Sequence, residues 1–571
     1  MKKINNNELN IKNVGQEVTL FGFLANKRTM GEITFIDLRD RWGITQIIIK
    51  NKVDLTKESV LEIKGIVVER KDKNPNLKTG DIEIDASEIK VLSKAKSELP
   101  FIISDHLEAK DNTKLKYRFL DLRRPKMQNI IKTRHRFIKS VRDFLDEKDF
   151  LEIETPILSK STPEGARDFL VPTRKKGDFF ALPQSPQLYK QLLMISGMER
   201  YFQVVKSFRD EDSRKDRQPE FTQLDIEISY TSIEEIISLM EDMLRVSLNK
   251  IDINISKTIP KMDYDYAIDN YGTDKPDLRY GLKLIDIQEY FKNSEFNVLK
   301  NAKNIKSIFI EKTLSNKQIK KLEEIAKKNG AKGLLWASQN KDQEKKGPGF
   351  KFIEKEINLI IEEKFNNKKE WSLLIVGDDY NSTTQSLGSV RVALNEMFNL
   401  ASDKNEFVWI VNWPMFEYDN DTKRYQPLHH AFTSPQDEYL DNIIETKGEA
   451  RAKSYDLVWN GYEIGGGSIR NNDSDIQKNI FAAMNLSQVE VNEKFGFFLD
   501  AFDYGVPPHG GIAFGVDRII MIATKSDSIR DVIAFPKNQN GIAVMENSPA
   551  TIGEEQLEEY GILIDKKKEE N

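Results

Sequence analysis

The chain has 571 residues, 39% of them hydrophobic and 31% charged, with a formal net charge of −5, five histidines and no cysteine. Absence of cysteine excludes disulfides, thiolate nucleophiles and cysteine zinc sites, and so few histidines direct any divalent metal to oxygen ligands. The length allows roughly three or four domains, and the negative balance excludes a globally basic nucleic-acid binder, though not a local patch that steers RNA.

The opening MKKINNNELN is polar, and no apolar run reaches about 18 residues. Neither a signal peptide nor a membrane span is expected, and a cytoplasmic location follows. Residues 1–105 hold five strand-like runs, at 17–25, 33–39, 44–50, 60–70 and 81–92, each bounded by Gly, Asn or Lys clusters. Five short strands without a strong helix predict an OB-fold barrel, a frequent binder of single-stranded nucleic acid. Phe35 and Gln46 fall on strands two and three, and Arg28 on the loop before strand two. Phe35 also alternates with Ile33, so the residues alone favour plain barrel core.

Residues 106–125 form a polar hinge in which lysines and arginines flank Tyr117 and Phe119. That pattern suits a solvated segment or one that touches RNA phosphate. From 126 to 282 a mixed helix and strand pattern begins. Phe137, Val141, Phe144 and Leu145 make one helical stripe, and Leu151 and Ile153 then alternate with acids up to Pro156. Residues 283–405 are lysine-rich and carry none of the residues singled out below. They include a helix-like run at 317–328 and a strand-like run at 371–376. The mixed pattern resumes over 406–545, and 546–571 form a charged extension expected to fray.

Chemistry concentrates in a few segments. FRDEDSRKDRQPEFTQLD, at 208–225, sets Arg209 and Glu211 two apart on one strand face, then a charged loop with Arg217, then Phe221. Arginine forks match phosphate oxygens, and an aromatic face suits a purine. GGIAFGVDR, at 510–518, is a glycine-rich strand that leads into a helix and ends on Arg518. SPQLYK, at 185–190, spaces Gln187 and Lys190 to share a helix face. In DLVWNGYE, at 456–463, Asn460-Gly461 signals a two-residue hairpin. Trp459 then pairs with Tyr462 and Val458 with Glu463. Asp456 lies diagonal to Glu463 on the same face, where two acids repel unless a cation sits between them.

These segments, in this order, resemble motifs 1, 2 and 3 of the class II aminoacyl-tRNA synthetases. QSPQLYKQLL and GYEIGGGSIR are similar to the bacterial-type aspartyl enzymes over nearly the whole chain. The resemblance implies an α+β fold: an OB-fold anticodon-binding domain, then a catalytic domain on an antiparallel sheet flanked by helices, with an α/β insertion domain at 283–405. It implies adenylation of L-aspartate by ATP with Mg2+, transfer to tRNA(Asp), and a homodimer built on motif 1. Glu164 on a mobile loop would close over the substrate ammonium, with Ser185, Gln187 and Asp225 beside it. Lys190, Arg470 and His429 would face the side-chain carboxylate. Arg209 would hold the α-carboxylate and then the α-phosphate, and with Arg518 would carry catalysis. Asp210, Glu211, Arg217, Gln218, Phe221, Glu463, Gly515, Val516, Asp517 and Arg518 would join Arg209 around ATP. Arg28, Phe35 and Gln46 would read the anticodon, and Asp456 and Glu463 would hold the metal.

Two positions depart from the family's wording: Ala431 after the histidine pair, and the loop NKRTMGE before strand two. An enzyme that also serves tRNA(Asn) would share every catalytic residue, and Met30 favours the form restricted to tRNA(Asp). An asparaginyl enzyme conflicts with two cations, Lys190 and Arg470, at the side chain. A non-catalytic RNA-binding paralogue conflicts with the presence of Arg209, Glu211, Arg217, Glu463 and Arg518.

Overall fold

The computed structural model describes residues 4–106, 109–162, 165–212 and 214–564. They fall into two compact units that divide between Asn129 and Ile130.

The first unit is a closed barrel of five strands, in the order Glu17–Met30, Ile33–Arg39, Ile44–Ile49, Ile82–Ser93 and Val60–Glu69. Period-two alternation builds it. In Ile33–Arg39 the side chains of Thr34, Ile36 and Leu38 enter the core, while Phe35, Asp37 and Arg39 are only half-buried. Phe35 therefore lies off the core face. The first strand runs five residues beyond its expected end. Gly31, at φ +62°, makes a tight turn that lets Met30 pair with Ile33 and Arg28 with Phe35. Arg28 is thus a strand residue and not, as the sequence suggested, a loop residue.

The hinge is more ordered than its composition implies. It forms short helices, Asp111–Lys116 and Arg118–Asp121. Arg118 and Asp121 are buried and paired at 2.6 Å. Arg123 pairs with buried Glu58 at 2.9 Å and lies 4.0 Å from the Phe23 ring centroid. These arginines are committed to protein partners, which the sequence could not show because Glu58 is remote in the chain.

The second unit is built on an eight-stranded sheet. Its order is Lys261–Asp263, Phe407–Val411, Ser454–Trp459, Tyr462–Ile469, His509–Gly515, Glu220–Ser229, Arg200–Phe208 and Leu151–Glu152. Pairing is antiparallel except at the two edges. The helix Pro125–Asp146 carries the expected stripe, with Phe137, Val141 and Leu145 buried. Helix Ile233–Asn249 starts on a capping box between Ser232 and Glu235. Between the sheet's segments lies a separate five-stranded sheet, ordered Ile285–Asp286, Asn304–Ile310, Trp371–Asp378, Leu335–Gln339 and Lys345–Lys346. Helices Asn316–Lys328 and Tyr380–Phe398 contribute to one apolar cluster against this sheet and Glu354–Phe365 to another. No helix among the described residues is long and apolar enough to cross a membrane.

Candidate active site

The middle of the eight-stranded sheet floors a cleft of about 300 Å³. One end is walled by charged side chains that are almost completely buried. Lys190, in the first turn of helix Gln187–Ile195, pairs with Asp225 at 3.0 Å and lies 3.3 Å from Glu227. Arg470 meets Glu227 with two parallel bonds, Nε to Oε1 at 2.7 Å and Nη2 to Oε2 at 3.0 Å. Its Nη1 donates to Ser468 Oγ at 2.6 Å and faces His430 Nε2 at 2.7 Å. The sequence suggested two bare cations. The structure gives each an anion, because buried charge without a partner is prohibitively costly.

Sequence reasoning missed Glu227, although a signal existed. In LDIEI, at 224–228, acids alternate with apolar residues, so Asp225 and Glu227 share a face while Leu224, Ile226 and Ile228 take the other. Asp225 Oδ2 is buried without a hydrogen-bond partner. Burial pushes the Asp225 carboxyl up, against the pull of Lys190. Gln187 occupies the same helix turn as Lys190 and donates to Gln191 at 2.8 Å.

The hairpin strand Tyr462–Ile469 crosses the cleft. Asn460 and Gly461 both have positive φ, at 51° and 84°, as a two-residue turn of this hand requires. Trp459 pairs with Tyr462 and Val458 with Glu463, as expected. A bulge at Ile464 then shifts the register, so that Asp456 faces Gly466. A Cβ at Gly466 would lie 2.7 Å from Asp456 Oδ1, so glycine keeps that carboxylate in place. Asp456 and Glu463 both line the cleft. Burial and then Glu463 drive the Asp456 carboxyl well above the usual carboxylate range. His429 Nε2 lies 3.9 Å from Asp456 Oδ1, too far to bond, and neither atom has a hydrogen-bond partner. Burial lowers His429 to about 4, so it is neutral at pH 7.

The other end of the cleft is open and lined by arginines. Strand Arg200–Phe208 ends before Arg209, so Arg209 and Glu211 lie beyond the strand and not on its face. Arg209 Cζ sits 5.2 Å from the Phe221 ring centroid, and its Nε is buried without a partner. Arg217 pairs with Glu211 at 2.7 Å. Arg518, in helix Val516–Ala523, pairs with Asp216 at 3.2 Å and donates to the Glu463 carbonyl. Ser185, Gln218 and Gly515 also line the cleft.

Other sequence candidates sit differently. Asp517 lines the cleft but is buried, accepts from the Thr222 N–H at 2.7 Å and pairs with Arg134. Val516 is buried and Asp210 exposed. Glu164 falls outside the described residues. Asp216 and Gln223 line the cleft without having been singled out.

In the barrel unit, Arg28, Phe35 and Gln46 do come together. Arg28 Cζ is 5.4 Å from the Phe35 centroid, and Arg28 donates to Gln46 Oε1 at 2.7 Å. Arg70 donates to the same oxygen at 2.8 Å, while Gln46 Nε2 donates to Glu83 at 2.6 Å.

Comparison with known proteins gives matches over both units. Residues 110–539 match the tRNA synthetases class II (D, K and N), and residues 18–92 match the OB-fold nucleic acid binding domain. The chain is 47% identical to a protein of Caldanaerobacter subterraneus subsp. tengcongensis named aspartate--tRNA(Asp/Asn) ligase, covering 98% of this chain and 97% of that one. It is 46% identical to the aspartate--tRNA ligase of Malacoplasma penetrans, covering 97% and 98%. Among solved structures, asparaginyl-tRNA synthetase of Pyrococcus horikoshii with asparaginyl-adenylate matches with a TM-score of 0.59 at 21% identity, over 94% and 98% of the chains. Aspartyl-tRNA synthetase of Entamoeba histolytica matches at 0.58 and 18%, over 94% and 92%. At these identities the structures attest the fold.

Proposed function

This chain belongs to the class II tRNA synthetases of the D, K and N group, and we propose that it attaches L-aspartate to tRNA(Asp) in two steps, aspartyl-adenylate formation and transfer to the terminal adenosine. The observation that carries the amino-acid assignment is the buried set of Lys190, Arg470, Asp225 and Glu227 at the closed end of an arginine-lined cleft.

Chemistry at this site needs alignment more than proton transfer. The α-carboxylate of aspartate is ionised at pH 7 and attacks the α-phosphorus of ATP in line, with pyrophosphate leaving. Neutral His429 and His430 are not required as acids. Asp225 Oδ2, buried and unpartnered, suits the substrate ammonium, with Gln187 and Ser185 beside it. Lys190 and Arg470 hold the side-chain carboxylate. Arg209 takes the α-carboxylate and then neutralises the α-phosphoryl charge, and its unpartnered Nε suits an incoming oxygen. Arg217 receives the outgoing phosphates. Phe221 and Arg518 hold the base.

Asp456 and Glu463 fit a magnesium ion: two carboxylates line one cleft, and Asp456 Oδ1 is buried with no donor. A bound ion would offset phosphate charge. The barrel cluster of Arg28, Phe35 and Gln46 supports anticodon reading, with Phe35 available to stack a base because it lies off the core face. Exposed Leu151, Ile157 and Leu158 beside the sheet's edge strand support a homodimer through motif 1. A cytoplasmic location fits this activity.

Aspartate-dependent exchange of pyrophosphate into ATP tests the first step. Its absence, with asparagine or lysine active instead, would overturn the assignment. A second reading, that tRNA(Asn) is also charged, is favoured by the name of the Caldanaerobacter relative. Charging assays with each tRNA separately decide between the two.

A further inference from the structure

Glu227 is the one side chain among the described residues that is ion-paired with both cations of the amino-acid end. It is fully buried. Its cross-strand partner is Gly511, and a Cβ there would lie 2.1 Å from Glu227 Oε2, so the glycine makes room for this carboxylate. Burial works to raise the Glu227 carboxyl, but Arg470 and Lys190 outweigh it and leave it at about 2. It is an anion throughout the working range of a cell.

Counting donors shows what Glu227 does to its partners. A guanidinium has five N–H donors and an ammonium three. Nε and one Nη2 hydrogen of Arg470 go to Glu227 and one Nη1 hydrogen goes to Ser468, while Nη1 also lies against His430 Nε2. One Nη2 hydrogen is left. Lys190 donates one to Asp225 and lies 3.3 Å from Glu227 as an ion pair, so a donor is left for the cleft. A carboxylate can accept both spare donors. A carboxamide offers a single accepting oxygen, and its NH2 would meet a donor.

We propose that Glu227 is a positioning residue that sets the preference for a carboxylate over a carboxamide side chain, by aiming the last free donors of Lys190 and Arg470 into the cleft. The proposal rests on reading this site as an aspartate pocket. Charge alone does not supply the preference, because the two cations are already matched by two anions. Direction does. Replacing Glu227 by glutamine keeps the shape but turns an NH2 toward Arg470 or Lys190. One of them must then rotate away, and its spare donor moves with it.

The test uses the full chain, with E227Q and E227D beside the unaltered protein. Pyrophosphate exchange gives kcat and KM for aspartate and for ATP, competition gives Ki for asparagine, and thermal melts report folding. For E227Q we expect the aspartate KM to rise at least about tenfold, with the ATP KM within about twofold. The ratio of asparagine Ki to aspartate KM should fall at least about tenfold. E227D restores the anion one methylene short, and should recover part of that ratio. A role in folding alone would lower the melting temperature and leave the ratio intact. An unchanged ratio in E227Q overturns the proposal; if E227Q does not fold, an unchanged ratio in E227D does so. Exchange by the unaltered protein keeps the two readings apart. If it lacks aspartate-dependent exchange, the aspartate reading falls. If it is normal while both variants keep its ratio, only the role of Glu227 falls.

Discussion

The two ends of the cleft treat charge in opposite ways. At the amino-acid end, the side chains of Lys190, Asp225, Glu227 and Arg470 are at most 2% exposed and interlocked. At the nucleotide end, Arg217 is 41% exposed and Glu211 31%, while Arg518 and Asp216 are 21% and 29% exposed and joined by a single longer contact. In the proposed reading the closed end is locked by its own ion pairs, so its geometry can discriminate between substrates of nearly equal size. In the same reading the open end holds Arg217 and Arg518 on solvent-screened acids, which phosphate can displace cheaply. Selectivity and turnover are, in that proposed reading, served by different dielectric environments within one cleft.

Breaking the closed end should have the largest effect. Lys190→Met leaves Asp225 without its cation and Arg470→Leu strips Glu227 of its bidentate partner, each breaking a buried pair at a loss of about 3–5 kcal/mol, which exceeds a hundredfold at about 1.4 kcal/mol per decade. Aspartate-dependent exchange should nearly vanish while equilibrium ATP binding persists. Near-normal exchange in both variants would show that the closed end does not read the substrate. Next comes the carboxylate pair between the two ends. Glu463→Gln should raise the magnesium needed for half-maximal adenylation by more than about tenfold, and an unaltered magnesium titration would dismiss the pair as a metal site.

A smaller loss is expected away from the cleft. Phe35→Ala should weaken tRNA charging by roughly 1–3 kcal/mol and leave pyrophosphate exchange alone. Equal loss in both assays would mean that the residue supports the fold instead. The smallest effect belongs to the open end. Glu211→Gln removes the placeholder on Arg217, worth about 0–1 kcal/mol, so ATP affinity should shift by less than about fivefold. A shift as large as that of Lys190→Met would erase the contrast between the ends.

What the sequence made legible was local. The Asn460-Gly461 turn fixed the pairing of Val458 with Glu463, whereas alternation in Ile33–Arg39 suggested Phe35 and Ile33 as core and the fold buries Thr34, Ile36 and Leu38 instead. The helical stripe of Phe137, Val141 and Leu145 was also visible. What stayed hidden depends on residues distant in the chain. Arg470 meets Glu227 across a strand register that only the folded sheet defines, and Arg123 finds Glu58 in the same way. The bulge at Ile464 was invisible because nothing in GYEIGGG marks which residue slips. The bond from the Thr222 N–H to Asp517 was hidden as well, since helix placement sets it.

The amide of Gln46 carries a consequence of its own. Both lone pairs of its oxygen are taken, by Arg28 and Arg70, and one of its hydrogens by Glu83. A ligand that claims the Gln46 carbonyl must therefore break an existing bond before it makes its own. In the proposed anticodon reading, association at Gln46, which is itself buried, would exchange one hydrogen bond for another. In that reading a base that fits would complete the exchange and free a guanidinium for phosphate, and a base that does not fit would leave that guanidinium without an acceptor.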